Sequence, residues 1–215
     1  LLIWIEGCPS PKELRERVLD DVEFRQSLVK WLESCHTGDY ATATETELES
    51  KWEKPGVERV INGRVRKAKP TLLIRDAAMS LPARPPDFHD EDELQRWHSS
   101  FLEDVDRIVF CSNRHDKDHD RGCLKGDPLY CRARFPRETY PTTMVDEDSG
   151  ALRFQKRDVW INTYNPVLSY LLRCNTDVTC LLSGTQVRAI VAYVTDYVTK
   201  SSMTTNTFFQ TIQTV

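Results

Sequence analysis

The chain has 215 residues, with 33 acidic side chains against 29 basic ones and a hydrophobic share of 40%. That length suits one domain of roughly 150–200 residues plus an extension, and it can bury a real core. The longest apolar runs, residues 1–5 and the stretch around 187–198, fall short of the ~20 residues a membrane-spanning helix needs, which excludes that class. Residue 1 is not Met, and residues 1–5 are too short and lack the basic lead-in of a secretory signal, so the chain reads as an excerpt of something longer. Seven cysteines, an odd number, argue against a fully paired secreted disulfide framework. A reducing compartment fits better, with clustered Cys taken first as metal ligands.

Residues 1–5 read as the end of a buried strand, closed by Pro9-Ser10-Pro11. Ser10 is placed to cap a helix from Pro11, with Glu13 completing a capping box. Leu14, Val18, Val22, Phe24, Leu28 and Leu32 recur at helical spacing, so one broken helix or two short ones run to about Ser34. From Thr37 to Pro70 the periodicity is poor, with Thr/Glu alternation and Gly56 and Gly63 as punctuation. Residues 82–90, with Pro82, Pro85 and Pro86, read as an extended linker. Residues 92–101 predict a short helix carrying Trp97, and 105–111 a strand. Residues 111–136 hold few apolar side chains and many turn formers. Such a segment is a surface loop or is organised by a metal. Short strands are predicted at 142–145, 151–154 and 158–161, with a helix opening at Asn165-Pro166. A strand at 177–182 leads to the clearest helix of the chain, from Thr185 to about Lys200. This order predicts an α+β fold with a mostly antiparallel sheet and flanking helices. It divides into 1–36 (first strand and helices), 37–90 (a poorly structured, partly basic insertion or linker), 91–137 (helix, strand and Cys/His loop) and 138–215 (strands and the tyrosine helix).

Charge alternates along the chain. Residues 51–80 carry 8 basic against 3 acidic side chains, and residues 107–137 carry 8 against 4, each block flanked by acidic sequence. Arg64, Arg66, Lys67 and Lys69 mark the first block, and Arg132, Arg134 and Arg137 close the second. Alternating blocks are the solvated faces of many globular proteins. If the two basic blocks meet in space, they instead suit the phosphates of a nucleic acid.

Two groups of residues can carry chemistry. Tyr193 and Tyr197 lie four apart on the last helix, with Lys200 following on nearly the same stripe. A phenol can attack a phosphodiester and form a covalent intermediate, and an adjacent ammonium can lower its pKa. The same spacing is also that of ordinary half-buried tyrosines. The second group is Cys111, His115, His119, Cys123 and Cys131, at spacings of four, four, four and eight. Four of these five suit a tetrahedral structural zinc, although there is no Cys-x-x-Cys knuckle. A charged loop with buried thiols is the alternative. Cys8, Cys35, Cys174 and Cys180 are scattered and read as small core hydrophobes. No phosphate-binding loop of the GxxxxGK[ST] kind occurs, and the five histidines contain no His-x-His pair.

Four tracts give the chain a family resemblance. They are Leu1-Leu2-Ile3-Trp4-Ile5, Cys131-Arg132-Ala133-Arg134-Phe135-Pro136-Arg137, Asn162-Thr163-Tyr164-Asn165-Pro166 with the following Arg173-Cys174-Asn175-Thr176-Asp177 turn, and Tyr193-Val194-Thr195-Asp196-Tyr197-Val198-Thr199-Lys200. In this order they resemble the replication-initiator (Helitron helicase-like) domain of Helitron rolling-circle transposases. The resemblance implies the core of a His-hydrophobe-His endonuclease, truncated at its N-terminus. It also implies single-stranded DNA as partner, a nuclear location, and a 5′-phosphotyrosine intermediate formed by Tyr193 or Tyr197 with Lys200 as the phosphate-side cation. The family's divalent metal, Mg or Mn, is held by a His-x-His pair that would precede residue 1, and its helicase would follow residue 215. The resemblance therefore implies a fragment that does not bind that metal and does not cleave DNA alone. The alternative is a non-catalytic, zinc-stabilised module that binds nucleic acid or a protein partner. A structural relic without biochemical role is the third reading.

Overall fold

In a computed structural model of the chain, the structure describes residues 6–7, 9–61, 64–75, 77–87, 89–119, 122–146, 152–178, 188, 190–192 and 194–195; for 59–61, 64–67 and 78 it describes the backbone alone. Helices and small antiparallel sheets are mixed, as an α+β chain requires. Contacts divide the chain into two compact units, residues 1–27 with 145–152 and 180–215, and residues 28–144 with 153–179.

Helix α1 (Pro11–Asp20) starts as its sequence predicts. Ser10 accepts from the Glu13 N–H while the Glu13 carboxylate accepts from the Ser10 N–H at 2.7 Å, and Pro11 sits at the first helical position. Asp21 breaks the run and caps α2 (Val22–Cys35) by accepting from the Phe24 N–H at 2.9 Å. Of the two expected forms, one broken helix or two short ones, two separate helices form. The expected strand at residues 1–5 lies outside the described residues, as does most of the one at 177–182; Asp177 and Val178 are not in a strand.

Residues 37–90, read from their poor periodicity as a poorly structured insertion or linker, contain a helix and short strands. Helix α3 (Glu45–Trp52) forms within them because Thr44 and Glu47 make a second capping box. Leu48 and Trp52, four apart on α3, are both buried. Antiparallel β1 (Glu53–Lys54) and β4 (Thr71–Leu72) enclose the hairpin of β2 (Glu58–Ile61) and β3 (Arg64–Lys67), paired from Glu58↔Lys67 to Ile61↔Arg64.

Helix α4 (Glu91–Ile108) is longer than the predicted helix and absorbs the strand expected at 105–111. Asp90 caps it, accepting from the Glu93 N–H at 2.9 Å. The run Trp97, Phe101, Val105, Ile108 follows a helical stripe, and burying that stripe outweighs the β preference of its branched members. A π-turn over Val109–Asn113 then ends the helix. Val105 and Val109 pack with Ile161, Tyr164 and Tyr170, while Leu48 and Trp52 pack with Phe110; Tyr40 lies against both clusters.

The remaining strands are short: β5 (Leu124–Lys125) with β6 (Tyr130–Cys131), and β7 (Met144–Val145) with β8 (Leu152–Arg153). The pairing is antiparallel as expected, but among the described residues it is divided among two-stranded sheets and not gathered into one. The strand expected at 158–161 is replaced by a turn. The Asp158 carboxylate accepts from the backbone N–H of Trp160 (2.7 Å) and Ile161 (3.2 Å), taking donors that a ladder would need. Helix α5 (Pro166–Leu172) opens at Asn165 as predicted, with Asn165 accepting from the Leu168 N–H at 2.8 Å. Residues 188, 190–192 and 194–195 are helical, in line with the final helix. No helix among the described residues is long and apolar enough to cross a membrane.

Candidate functional site

Four side chains converge in the loop that follows the π-turn. His115 Nε2 lies 3.3 Å from His119 Nδ1 and 3.4 Å from the sulfurs of both Cys123 and Cys131; His119 Nδ1 is 3.1 Å from Cys123 Sγ. All four ligand atoms fall within 4.8 Å of one another. An imidazole nitrogen has either one proton or one lone pair, so Nε2 of His115 cannot satisfy three close neighbours by hydrogen bonding. A cation at the centre can. Tetrahedral zinc, with bonds of about 2.0–2.1 Å to nitrogen and about 2.3 Å to sulfur, sets ligand atoms about 3.3 Å (N to N) and about 3.6 Å (N to S) apart. The four distances given above are within about half an ångström of those lengths. The cluster can therefore hold a metal such as zinc.

Each ligand is placed by identifiable local chemistry. The His115 N–H donates to the Trp160 carbonyl at 2.7 Å, and its ring stacks on Phe135, 4.4 Å away and 6° from parallel. His119 sits at φ 54°, its N–H donating to the Asp116 carbonyl. Cys123 and Cys131 stand at the two ends of the β5–β6 hairpin, whose turn uses Gly126 at φ 87° under the Tyr130 ring. Burial works to raise the Cys131 thiol, but the backbone N–H groups of Phe135 and Ala133, the Cys123 side chain and the Arg134 N–H together outweigh it and leave the thiol below its ordinary value. That turn closes with the Arg134 N–H on the Cys131 carbonyl at 2.9 Å, and Arg134 adopts φ 61°.

Helix α3 steadies the loop from outside. Its carboxylates Glu45 and Glu49, with Glu53 of β1 four residues on, grip the cations Arg114 and Lys117 on either side of His115. Arg114 pairs with Glu49 at 3.0 Å and with Glu53, and Lys117 pairs with Glu49 at 2.7 Å and Glu45 at 3.2 Å. Arg114 also lies over the Phe110 ring, 3.8 Å from its centre. Lys69 of the first basic block reaches the loop as well, paired with Asp116 at 2.9 Å.

Cys111, the fifth predicted ligand, stands outside the cluster. It belongs to the π-turn, between buried Phe110 and buried Asn113, rather than to the loop. Of the cysteines read as core hydrophobes, Cys174 is exposed and Cys35 half-buried, while Cys8 and Cys180 lie outside the described residues. Tyr193, Tyr197 and Lys200 also lie outside them, as do the side chains of Arg64, Arg66 and Lys67.

The arginines of the second block divide. Arg132 is exposed, whereas Arg134 and Arg137 line a cleft of about 570 Å³. The Arg137 guanidinium lies over Phe135 and donates to Asn162 Oδ1 at 2.8 Å, and its backbone N–H donates to the Val159 carbonyl. The tracts 131–137 and 162–166 therefore meet in space. In the second of them, Asn162 anchors Arg137 and Thr163 donates to the Val178 carbonyl at 2.7 Å. Tyr164 is fully buried, its hydroxyl donating to the Asp39 carbonyl at 2.8 Å, and Asn165 caps α5 while bonding the Cys35 carbonyl.

Lys156, which nothing in its local sequence singles out, also lines this cleft. It is 7% exposed, and its ammonium donates to the Ile161 carbonyl at 2.8 Å. Burial pulls its pKa down to about 8 against the Asp158 and Asp39 carboxylates, with nearby Arg137 adding to the fall. Gly38 makes room for its stem, since a Cβ there would meet Lys156 Cγ at 2.7 Å. The two residues are 118 positions apart, so only the fold brings them together.

No family model, curated protein or solved structure matches this chain.

Proposed function

We propose that this chain is part of a Helitron-type rolling-circle transposase, acting in the nucleus. A zinc-stabilised segment helps engage single-stranded DNA for the nicking and joining performed by the paired tyrosines of the family. The observation that carries the reading is the meeting of two of the four resembling tracts, through Arg137 and Asn162, beside the His115/His119/Cys123/Cys131 cluster. Zinc is the metal this donor set favours. Two thiolates and two imidazoles would fill all four positions that zinc takes in a structural centre, leaving none for the water or substrate of a catalytic one. Its chemistry is to hold a loop that lacks its own core.

Tyr193 and Tyr197 are the proposed nucleophiles and Lys200 the cation beside them. The family's Mg or Mn site needs a His-x-His pair, which the five histidines of this chain do not include. The chain alone is therefore assigned binding rather than cleavage. The experiment is incubation with a single-stranded oligonucleotide and Mn²⁺, with and without a polypeptide carrying the family's His-x-His strand. The reading expects salt-dependent binding in both cases and a covalent adduct only in the second, abolished by Tyr193→Phe/Tyr197→Phe. Binding without any adduct in either case favours the non-catalytic zinc module, which the ligand cluster also suits. Absence of binding sinks both.

A further inference from the structure

The cleft between the 131–137 tract and residues 156–163 holds three cationic side chains in unlike settings. Arg134 is exposed, Arg137 is half-buried and fixed by Asn162, and Lys156 is 93% buried by its 7% exposure. An ammonium carries three protons for donation. Among the described residues, the one hydrogen bond of the Lys156 ammonium is to the Ile161 carbonyl. A buried ammonium with donors to spare, at the wall of an open cleft, is costly to the fold unless something anionic completes it. Thr163 and Asn162, also in the wall, supply neutral polar groups beside it. Half-buried Asp158 and Asp39 also act on it, but their carboxylates accept from the backbone N–H groups of Trp160, Ile161 and Arg157. The remaining charges in the wall, Glu138 and Asp177, are exposed, and the Glu138 carboxylate already accepts from the Tyr140 hydroxyl. Charges in water are screened, whereas a cation withdrawn from water acts at low effective dielectric, so the buried Lys156 outweighs them locally.

We infer that this cleft is the seat of one backbone phosphate of single-stranded nucleic acid, held by Lys156 from below and by Arg137 and Arg134 at the rim. The inference rests on the single-strand-binding role proposed above and gives it a place and a ligand. It adds Lys156, which belongs to neither basic block, and it assigns the specific contact to the second block rather than to β3. Phosphate is the class favoured, because guanidinium and ammonium groups together match its several charged oxygens.

The test is fluorescence anisotropy of a labelled oligothymidylate of about 12 nucleotides with the metal-loaded chain, over a range of salt. The variants are Lys156→Met, Arg134→Gly and, as a charge-matched control on the exposed face of α2, Lys30→Ala. Glycine suits the left-handed backbone at 134 and keeps the N–H that closes the Cys131 turn. Methionine fills the channel that the lysine stem occupies. Both variants are therefore expected to keep the parent's melting temperature and metal content, which are measured alongside. The expected result is affinity lowered about tenfold or more by each cleft variant, with the salt slope reduced by about 0.7 for the lost phosphate, and affinity within about twofold for Lys30→Ala. If the parent binds and the cleft variants bind equally well, or Lys30→Ala loses as much, the cleft is not the seat and the binding role stands without it. If the parent shows no salt-dependent binding, both readings fall.

Discussion

Raising the pH should stabilise this protein through Lys156, and the size of the effect follows from its burial. Its pKa falls to about 8 in the folded chain, against 10.5 for a free lysine. Between those values the folded state has already released a proton that the unfolded state still binds. Stability therefore rises with pH across that window, and below about pH 7 this group adds no pH dependence because both states keep the proton. Integrating the linkage from about pH 7 to about pH 9.5 gives a gain of about 2 kcal/mol, out of a ceiling of about 3 kcal/mol. The buried phenols of Tyr40 and Tyr164, both raised above the ordinary tyrosine value chiefly by burial, oppose the trend as unfolded tyrosines begin to ionise. The cleanest measurement is therefore a difference. Urea unfolding of the parent and of Lys156→Met is compared at both pH values, with metal bound throughout. Near pH 7 the two should lie within about 1 kcal/mol, since the variant loses the bond to the Ile161 carbonyl but no longer buries a charge. At the higher pH the parent should have gained about 2 kcal/mol on the variant. Parallel pH dependences would show that the ammonium is hydrated in the folded state, and the argument from burial would fail.

Elemental analysis should find about one zinc per chain, lost in Cys123→Ser or His119→Ala and retained in Cys111→Ser, because Cys111 stands apart from the other four. Chelation should raise proteolysis within residues 111–137 first, and a metal-free preparation with this segment fully protected would contradict the centre. Leu48→Ala should cost about 2–5 kcal/mol in urea unfolding, the ordinary cost of emptying a fully buried leucine site. Thr44→Ala should cost about 1 kcal/mol, because it removes the α3 capping box; no change would mean the tertiary contacts of α3 hold it without the cap.

What could be read from the sequence was local. The starts of α1 and α5 depend on caps whose residues are adjacent in the chain. The metal loop is local too, since all four of its converging ligands lie within 17 consecutive residues, 115–131. The capping box at Thr44 and Glu47 was equally local, but the Thr/Glu alternation around it imitates a strand. Two misreadings came from competition between neighbouring signals. The run from Val105 carries branched residues suited to a strand, yet its buried positions fall three and four apart, and the core took the helical option. At 158–161 the Asp158 side chain captured the N–H groups that would have paired with another strand. The exclusion of Cys111 and the role of Lys156 were not legible at all. The first depends on where a helix turns into a loop, and the second on a glycine more than a hundred residues away.

The hairpin between Cys123 and Cys131 deserves a last consequence. Residues 124–130 are exposed along their whole length, although both cysteines at their ends belong to the ligand cluster. Nothing in the core registers the length of that excursion, so insertions or deletions at its tip leave all four donors in place. Related chains are free to vary the gap between these two cysteines. The four-residue steps from His115 to His119 to Cys123 and the Cys131 turn are therefore a better signature of kinship than any fixed count between the thiols.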